Sequence, residues 1–270
     1  MHKKVVIITG ASSGIGKALV FEYAKKSYAV VLAARNRQKM DAISEELSQM
    51  GCDHLIVKTD VAIEEDCKNL IETTKAKYNR IDILINNAGI SMRSLFIDLE
   101  LQVVRKVMEV NFWGTVYCTK FALPSLLETK GSVVGVISIA GYIGLPGRTA
   151  YSASKYAIRG FLDTLRVENL KSGLHVLVAA PGFTASNIRN AALTAKGEMQ
   201  GESPRDENKM MSAEEVARRI AKAADKRKAE LILTFVEGKL SVLLKKAFPR
   251  LLDRLTYNYM DKEQGGLLNE

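Results

Sequence analysis

The stretch that leaves this chain the fewest folds to choose from is Lys4 to Lys26. Lys4 to Thr9 reads as a short buried strand. Gly10-Ala11-Ser12-Ser13-Gly14-Ile15-Gly16 follows at once, and Lys17 to Lys26 then carries apolar residues at helical spacing (Leu19, Val20, Tyr23, Ala24). A strand, a glycine-rich turn and a helix in that order form a dinucleotide-binding unit. Gly10 permits the sharp turn, Gly14 lets backbone approach a pyrophosphate, and Gly16 lets the helix lie against the strand. The first turn of the helix has N–H groups with no partner along the chain and a dipole that favours phosphate. Without a ligand the same glycines would make only a loop; the strand before and the helix after favour the nucleotide.

A second constellation lies far along the chain. Tyr151 and Lys155 are four apart on a predicted helix, Tyr151 to Leu170, so they share a face. A phenol titrates near pH ~10 and is a poor acid or base at neutrality; a neighbouring cation lowers that value and suits it to proton transfer. Ser138 ends the strand-like run Ser132 to Ile137, where a hydroxyl can polarise a carbonyl brought beside Tyr151. Taken alone, Tyr-x-x-x-Lys would mean a half-buried aromatic and a solvated charge.

Between these points strands alternate with helices: Ala29 to Ala34, Met40 to Met50 (helix), His54 to Thr59, Glu64 to Tyr78 (helix), Ile81 to Ile85, Leu101 to Thr129 (helix, Pro124 near its end), then Leu174 to Ala180 and Leu231 to Phe235 as later strands. That alternation predicts an α/β fold, a single Rossmann-type doubly wound domain with a mostly or fully parallel sheet flanked by helices on both faces. The 270 residues, 47% of them hydrophobic, contain no linker or repeat, so residues 1–270 are expected to be one domain. Ser212 and Glu215 predict a capping box opening a further helix.

Composition narrows the function. Val5 to Thr9 is too short for a signal sequence or a membrane span, and no other run reaches about 18 uninterrupted apolar residues, so a cytoplasmic location is expected. Cys52, Cys67 and Cys118 have no paired spacing and fit structural thiols in a reducing compartment. His2, His54 and His175 are scattered, so no metal is expected. The net charge is +9, but no basic run carries interleaved aromatics, and nucleic acid is not expected; anionic cofactors, anionic substrates or a membrane surface explain the charge as well.

Thr9-Gly10-Ala11-Ser12-Ser13-Gly14-Ile15-Gly16, Asp60-Val61, Asn86-Asn87-Ala88-Gly89, Asn111, Ser138, Tyr151 with Lys155, and Pro181-Gly182 stand in this order over nearly the whole chain. The set resembles the short-chain dehydrogenase/reductase family, in its classical branch. The resemblance implies hydride transfer between a nicotinamide cofactor and a carbonyl or alcohol. Ser138 would orient the carbonyl, Tyr151 would pass the proton, Lys155 would lower the Tyr151 pKa and bind the nicotinamide ribose, and Asn111 would distort its helix and hold a water touching Lys155. Gly10, Ser12, Ser13, Gly14, Ile15 and Gly16 would face the phosphates. Asp60 would take the adenine amino group, with the Val61 backbone beside the ring; Asp60 also reads as a cap for the next helix. Asn87, Ala88 and Gly89 would brace the sheet and line the adenosine ribose, and Pro181 and Gly182 would pack near the nicotinamide. The usual carboxamide-binding Thr is replaced by Ser186, with Thr184 two residues earlier, so either hydroxyl fits. The resemblance also implies a homodimer or homotetramer built on the Asn111 and Tyr151 helices, and a mobile lid in 187–211.

The cofactor follows from the end of the second strand. An acidic residue there would bind the ribose hydroxyls of NAD. This chain has Ala34 and then Arg35-Asn36-Arg37, and a guanidinium binds a 2′-phosphate through fork-like bonds. NADP(H) is expected; otherwise Arg35 is a solvated loop charge. Tyr142, Ile143, Leu145, Phe183, Ile188 and Leu193 suggest an apolar pocket and a hydrophobic ketone or a lipid- or steroid-like substrate. In 237–260, leucines at helical spacing alternate with Lys239, Lys245, Lys246, Arg250 and Arg254, and Pro249 should split the segment into two helices. It reads as a helix covering its own domain, an element packed against a partner subunit or beside the substrate entrance, or a basic amphipathic element at a membrane surface. The rival function is a non-catalytic NADP(H)-binding regulator or scaffold, which would have no use for Ser138, Tyr151 and Lys155 together.

Overall fold

The computed structural model describes residues 3–185, 188–201 and 210–261. Strands β1 (Val5–Thr9), β2 (Ala29–Ala34), β3 (His54–Lys58), β4 (Ile83–Asn86), β5 (Ser132–Val136), β6 (His175–Ala180) and β7 (Glu230–Ile232) make one sheet in the order β3-β2-β1-β4-β5-β6-β7. Every neighbouring pair is parallel. The helices in chain order are α1 (Gly14–Lys25), α2 (Arg37–Gln49), α3 (Glu64–Tyr78), α4 (Leu101–Met108), α5 (Gly114–Glu128), α6 (Thr149–Glu168), α7 (Ala213–Asp225), α8 (Ser241–Ala247) and α9 (Pro249–Asp261).

β1, β2, β5 and β6 are buried along their whole length. Helices cover both faces, so these strands read as continuous apolar runs rather than alternating ones. β1 shows the division: Val5 and Ile7 face Leu70 of α3, Leu126 of α5 and Leu162 of α6, whereas Val6 and Ile8 face Leu19 of α1, Leu47 of α2 and Ile220 of α7. The strand order reverses between β1 and β4. A crevice opens there at the carboxyl ends of the strands, the usual ligand position in doubly wound sheets.

The single helix expected over Leu101 to Thr129 is α4 and α5 joined by one wide π-helical turn, Glu109–Trp113, which contains Asn111. Pro249 divides the C-terminal segment as expected: α8 stops at Ala247 and α9 begins at Pro249, where a missing N–H has no helical partner to lose. Ser212 caps α7 by accepting from Glu215 N at 3.2 Å. Glu215 does not reach back; its carboxylate pairs with Arg218 and Arg219 instead, so only half of the capping box forms.

Of the expected lid, Asn187 and residues 202–209 lie outside the described residues. The part from 188 to 201 is tied down. Leu193 N donates to Ser91 O at 2.9 Å and Arg93 N to Leu193 O at 2.8 Å. Leu193 packs into a small cluster with Met92, Leu99 and Val103.

Candidate active site

The loops that follow β1, β2, β4, β5 and β6 enclose a cavity of about 700 Å³. Its wall contains Gly10, Ser12, Ser13, Gly14, Ile15, Gly16, Arg35, Asp60, Val61, Asn87, Ala88, Gly89, Ser138, Tyr151, Lys155, Pro181, Gly182 and Thr184. Every described candidate except Asn111 is therefore on one surface. Ser186 lies outside the described residues.

The end nearest β1 is built of backbone. Gly10 has φ +66°, a left-handed value that favours glycine. A Cβ on Gly16 would lie 2.1 Å from Gly10 O, so helix and turn meet with no room for a side chain. Helix α1 has no side-chain cap and no acid in its first turn, which leaves that end electropositive. Thr9 locks the turn to the neighbouring loop: its Oγ1 accepts from Asn87 N and Ala88 N, both at 3.0 Å, and Asn87 Nδ2 donates to Thr9 O at 2.9 Å. Asn86 Nδ2 donates to Thr119 Oγ1 at 2.9 Å, fastening the same loop to α5.

At the end of β2 the side chain of Arg35 is 63% exposed and its guanidinium lies 4.0 Å from the Asp60 carboxylate. Asp60 Oδ1 accepts from Ala62 N at 3.1 Å, so it holds the turn ahead of α3. It is not the helix cap, which is Ile63.

The chemistry-bearing end is set by β5 and α6. Ser138 stands where β5 ends, and its Oγ accepts from Ala140 N at 3.2 Å, which aims the side chain. Lys155 is 3% exposed. Its Nζ donates to Val136 O at 3.1 Å and lies 5.6 Å from the centre of the Tyr151 ring. Burial pulls the ammonium down to about 8 from an ordinary lysine value of 10.5. Burial also pushes the Tyr151 phenol above its usual range, opposed by the Ser138 hydroxyl and the charges of Arg148 and Arg189. Arg148 and Arg189, which no motif announces, thus oppose the effect of burial on the phenol, while the Lys155 ammonium, beside the same ring, is directed at the Val136 carbonyl.

Asn111 stands behind this wall and is fully buried. Its Oδ1 accepts from Ile90 N at 2.8 Å, and its Nδ2 donates to Ile90 O at 3.0 Å and Ser154 Oγ at 2.9 Å. The side-chain amide thus clamps the loop after β4 to α6, one residue from Lys155. The wide turn around Asn111 is a common device at functional sites. Gly89 completes the clamp: a Cβ there would lie 3.2 Å from Asn111 Oδ1 and 3.4 Å from Lys155 Nζ.

Beyond Tyr151 the wall is mainly apolar and includes Ile143, Leu145, Phe183 and Ile188. Two expected pocket residues are absent from it. Leu193 is used in the cluster described above. Tyr142 turns away: its hydroxyl donates to Glu230 Oε1 at 2.6 Å, and Arg159 sits 4.0 Å from its ring centre. Thr184 Oγ1 donates to Gly182 O at 3.1 Å. Sequence reasoning missed Arg148 and Arg189, which carry no motif, and it did not assign Leu240, Leu244, Leu252 and Leu255 to this wall. The helical spacing of those leucines was visible, and packing beside the substrate entrance was one of the readings left open; the cavity wall favours it.

A doubly wound parallel sheet with a glycine turn after its first strand, and a Ser, Tyr and Lys meeting on the cavity beside it, defines a nucleotide-binding oxidoreductase. The chain belongs to the short-chain dehydrogenase family, whose model matches residues 4–197. It is 39% identical over 198 residues to 11-beta-hydroxysteroid dehydrogenase-like 4A of Arabidopsis thaliana, covering 73% of this chain and 66% of that relative's length. It is 36% identical over 271 residues to dehydrogenase/reductase SDR family member 7B of Rattus norvegicus, covering 98% of this chain and 83% of the relative. The fold is similar, with a TM-score of 0.75 and 24% identity over 85% of this chain and 94% of the other, to an alcohol dehydrogenase from the archaeon Thermococcus sibiricus complexed with 5-hydroxy-NADP.

Proposed function

We propose that this chain is an NADPH-dependent carbonyl reductase, reversible as an alcohol dehydrogenase, with a hydrophobic ketone or a lipid- or steroid-like carbonyl compound as substrate. The observation that carries the reading is the convergence of Ser138, Tyr151 and Lys155 on the cavity that also holds the glycine turn. The residues fit a dinucleotide. Gly16 leaves no side chain at the turn, α1 directs uncapped N–H groups outward, and Arg35 offers an exposed guanidinium suited to a 2′-phosphate. When bound, the reduced nicotinamide supplies hydride to the carbonyl carbon.

Tyr151 gives its phenolic proton to the carbonyl oxygen as negative charge develops there. Ser138 orients that oxygen and shares the charge, the kind of preorganised donor that contributes most in a desolvated site. Lys155 would hold the cofactor ribose, and Asn111 acts as a positioning residue behind it. Tyr151→Phe should lower turnover about a thousandfold or more and leave NADPH binding largely intact, read by fluorescence titration and by a ketone and aldehyde panel. Full activity in that variant would refute the reading. A wild-type chain that binds NADPH and reduces nothing would point to a regulator or scaffold.

Among the described residues no helix is long and apolar enough to cross a membrane. The outer face of α8 and α9 nevertheless exposes Leu243 and Leu251, with Phe248 at the junction between the helices, between Lys245, Lys246, Arg250 and Arg254. We assign this face to the surface of an anionic bilayer, at the mouth of a cavity suited to lipid-soluble substrates. Co-flotation with vesicles containing phosphatidylserine, lost in Leu243→Glu with Leu251→Glu, tests it; a chain that never floats overturns it. Self-association through α5 and α6 is expected from the family pattern, and Trp113, at the end of the π-helical turn, stacked on Tyr117 of α5 offers an aromatic surface for it.

A further inference from the structure

Between β7 and α8 the chain passes through one residue under strain. Thr234 follows β7 closely and has φ +68° and ψ 151°. That backbone conformation is essentially reserved for glycine, and a β-branched side chain there is costly. The side chain is boxed in as well. A Cβ on Gly182 would lie 2.9 Å from both Oγ1 and Cγ2 of Thr234, and one on Gly238 would lie 3.0 Å from Thr234 Oγ1. Two glycines therefore make the room that Thr234 occupies. In that box the hydroxyl is buried and makes no hydrogen bond among the described residues, a state that native interiors seldom tolerate.

The segment after Thr234 is held together internally. A wide helical turn, Phe235–Leu240, runs directly into α8; such turns often mark functional places. Tyr259 Oη donates to Glu237 Oε1 at 3.4 Å, tying α9 back to this turn, and Lys245 pairs with Asp253 at 3.2 Å, joining α8 to α9. Toward the core, α8 has no buried residue and α9 buries Leu252 and Met260. Leu244 and Leu252 pack on the core cluster, and the Tyr259 ring lies 6.2 Å from the Phe183 ring, centre to centre. Leu240, Leu244, Leu252 and Leu255 meanwhile line the cavity.

Two costs thus meet at the residue that joins this pair of helices to the sheet. Both vanish when the pair swings away from the cavity, because Thr234 then regains an ordinary φ and its hydroxyl meets water. What opposes the swing is the apolar burial of the leucines.

We propose that Thr234 is the pivot of a gate formed by α8 and α9, its strain keeping the gate poised to open for entry and exit of an apolar compound. The pivot belongs to the fold and stands whether or not the cavity serves a reductase.

Thiol accessibility in the full, unliganded chain tests the gate. Leu252→Cys places a thiol where the native side chain is 4% exposed and faces the cavity. Cys118, fully buried on α5, is the internal reference for opening of the core. With a maleimide-linked polyethylene glycol, too bulky for the closed cavity, the thiol at position 252 should react faster than Cys118. Thr234→Gly accepts φ +68° without strain and removes the unpaired hydroxyl. It should slow labelling at position 252 by roughly five- to hundredfold and leave Cys118 unchanged. The freedom that glycine adds to the open chain works the other way and is smaller. Thr234→Val drops the hydroxyl and keeps the strain, so it should slow labelling by less. Labelling at position 252 no faster than at Cys118, a rate in Thr234→Gly that is unchanged or higher, or a slowing shared by Cys118 overturns the proposal.

Discussion

The two ends of the cavity are made of different material. The end facing β1 is backbone: glycines without space for a Cβ, helix N–H groups, and a loop fastened to Thr9. The end facing α8 and α9 is made of side chains on two short helices whose other face is exposed. Backbone geometry admits few sequences, so that end carries dense motifs and lies within the family match, which stops at residue 197. A side-chain wall can be rebuilt by substitution without disturbing hydride chemistry. The difference explains how one site combines a common reaction with a substrate of its own.

The comparison can be broken most sharply at Gly16. Gly16→Val forces atoms into the Gly10 carbonyl and should cost about 3 kcal/mol or more in stability and roughly a hundredfold in NADPH affinity. Denaturant melts and fluorescence titration measure both, and near-normal binding would show that the turn yields to a side chain.

Lys155→Met should abolish turnover and yet stabilise the fold at pH 7. The folded chain holds Lys155 near 8 against 10.5 for an ordinary lysine, a handicap of order 3 kcal/mol below pH ~8. The folded state binds fewer protons than the unfolded one between those values, so wild-type stability rises with pH across that window. The advantage of the Met variant should shrink over the same range, and a difference independent of pH would contradict the assignment.

Leu252 tests the other end. It is 4% exposed and lines the cavity, so Leu252→Ala should cost about 2 kcal/mol and raise KM for long substrates with NADPH affinity unchanged. Weakened NADPH binding would mean that the ends are coupled. Arg35→Ala should reduce the preference for NADPH over NADH by roughly tenfold, since an exposed cation contributes modestly; an unchanged ratio would return Arg35 to a solvated loop charge. Smallest of all, Leu243→Ser should alter stability by less than about 0.5 kcal/mol while weakening vesicle binding, because the side chain is 62% exposed.

Much of this was legible in the residues, and the failures share a cause. The strand, turn and helix at the N-terminus, the Tyr151–Lys155 spacing and the break at Pro249 all depend on neighbours along the chain. Tyr142 was wrongly placed in the pocket because sequence shows that an aromatic lies in a loop but not which way it turns; Glu230, on β7, decides that. Leu193 was misplaced for the same reason, its partners Met92 and Val103 being about a hundred and about ninety residues away. Asn111 was recognised as anomalous within a helix, but its clamp on Ile90 and Ser154 needs three elements brought together.

By itself, then, the sequence determined the alternating strands and helices, the glycine turn and the spacing of the phenol and ammonium, because backbone sterics and helical periodicity act over a few residues. Long-range packing alone put Arg148 and Arg189 on the same cavity wall as Tyr151, directed Lys155 at Val136 and brought leucines of α8 and α9 to close the cavity. Those facts depend on burial and on distances between segments far apart in the chain, and no local pattern encodes either.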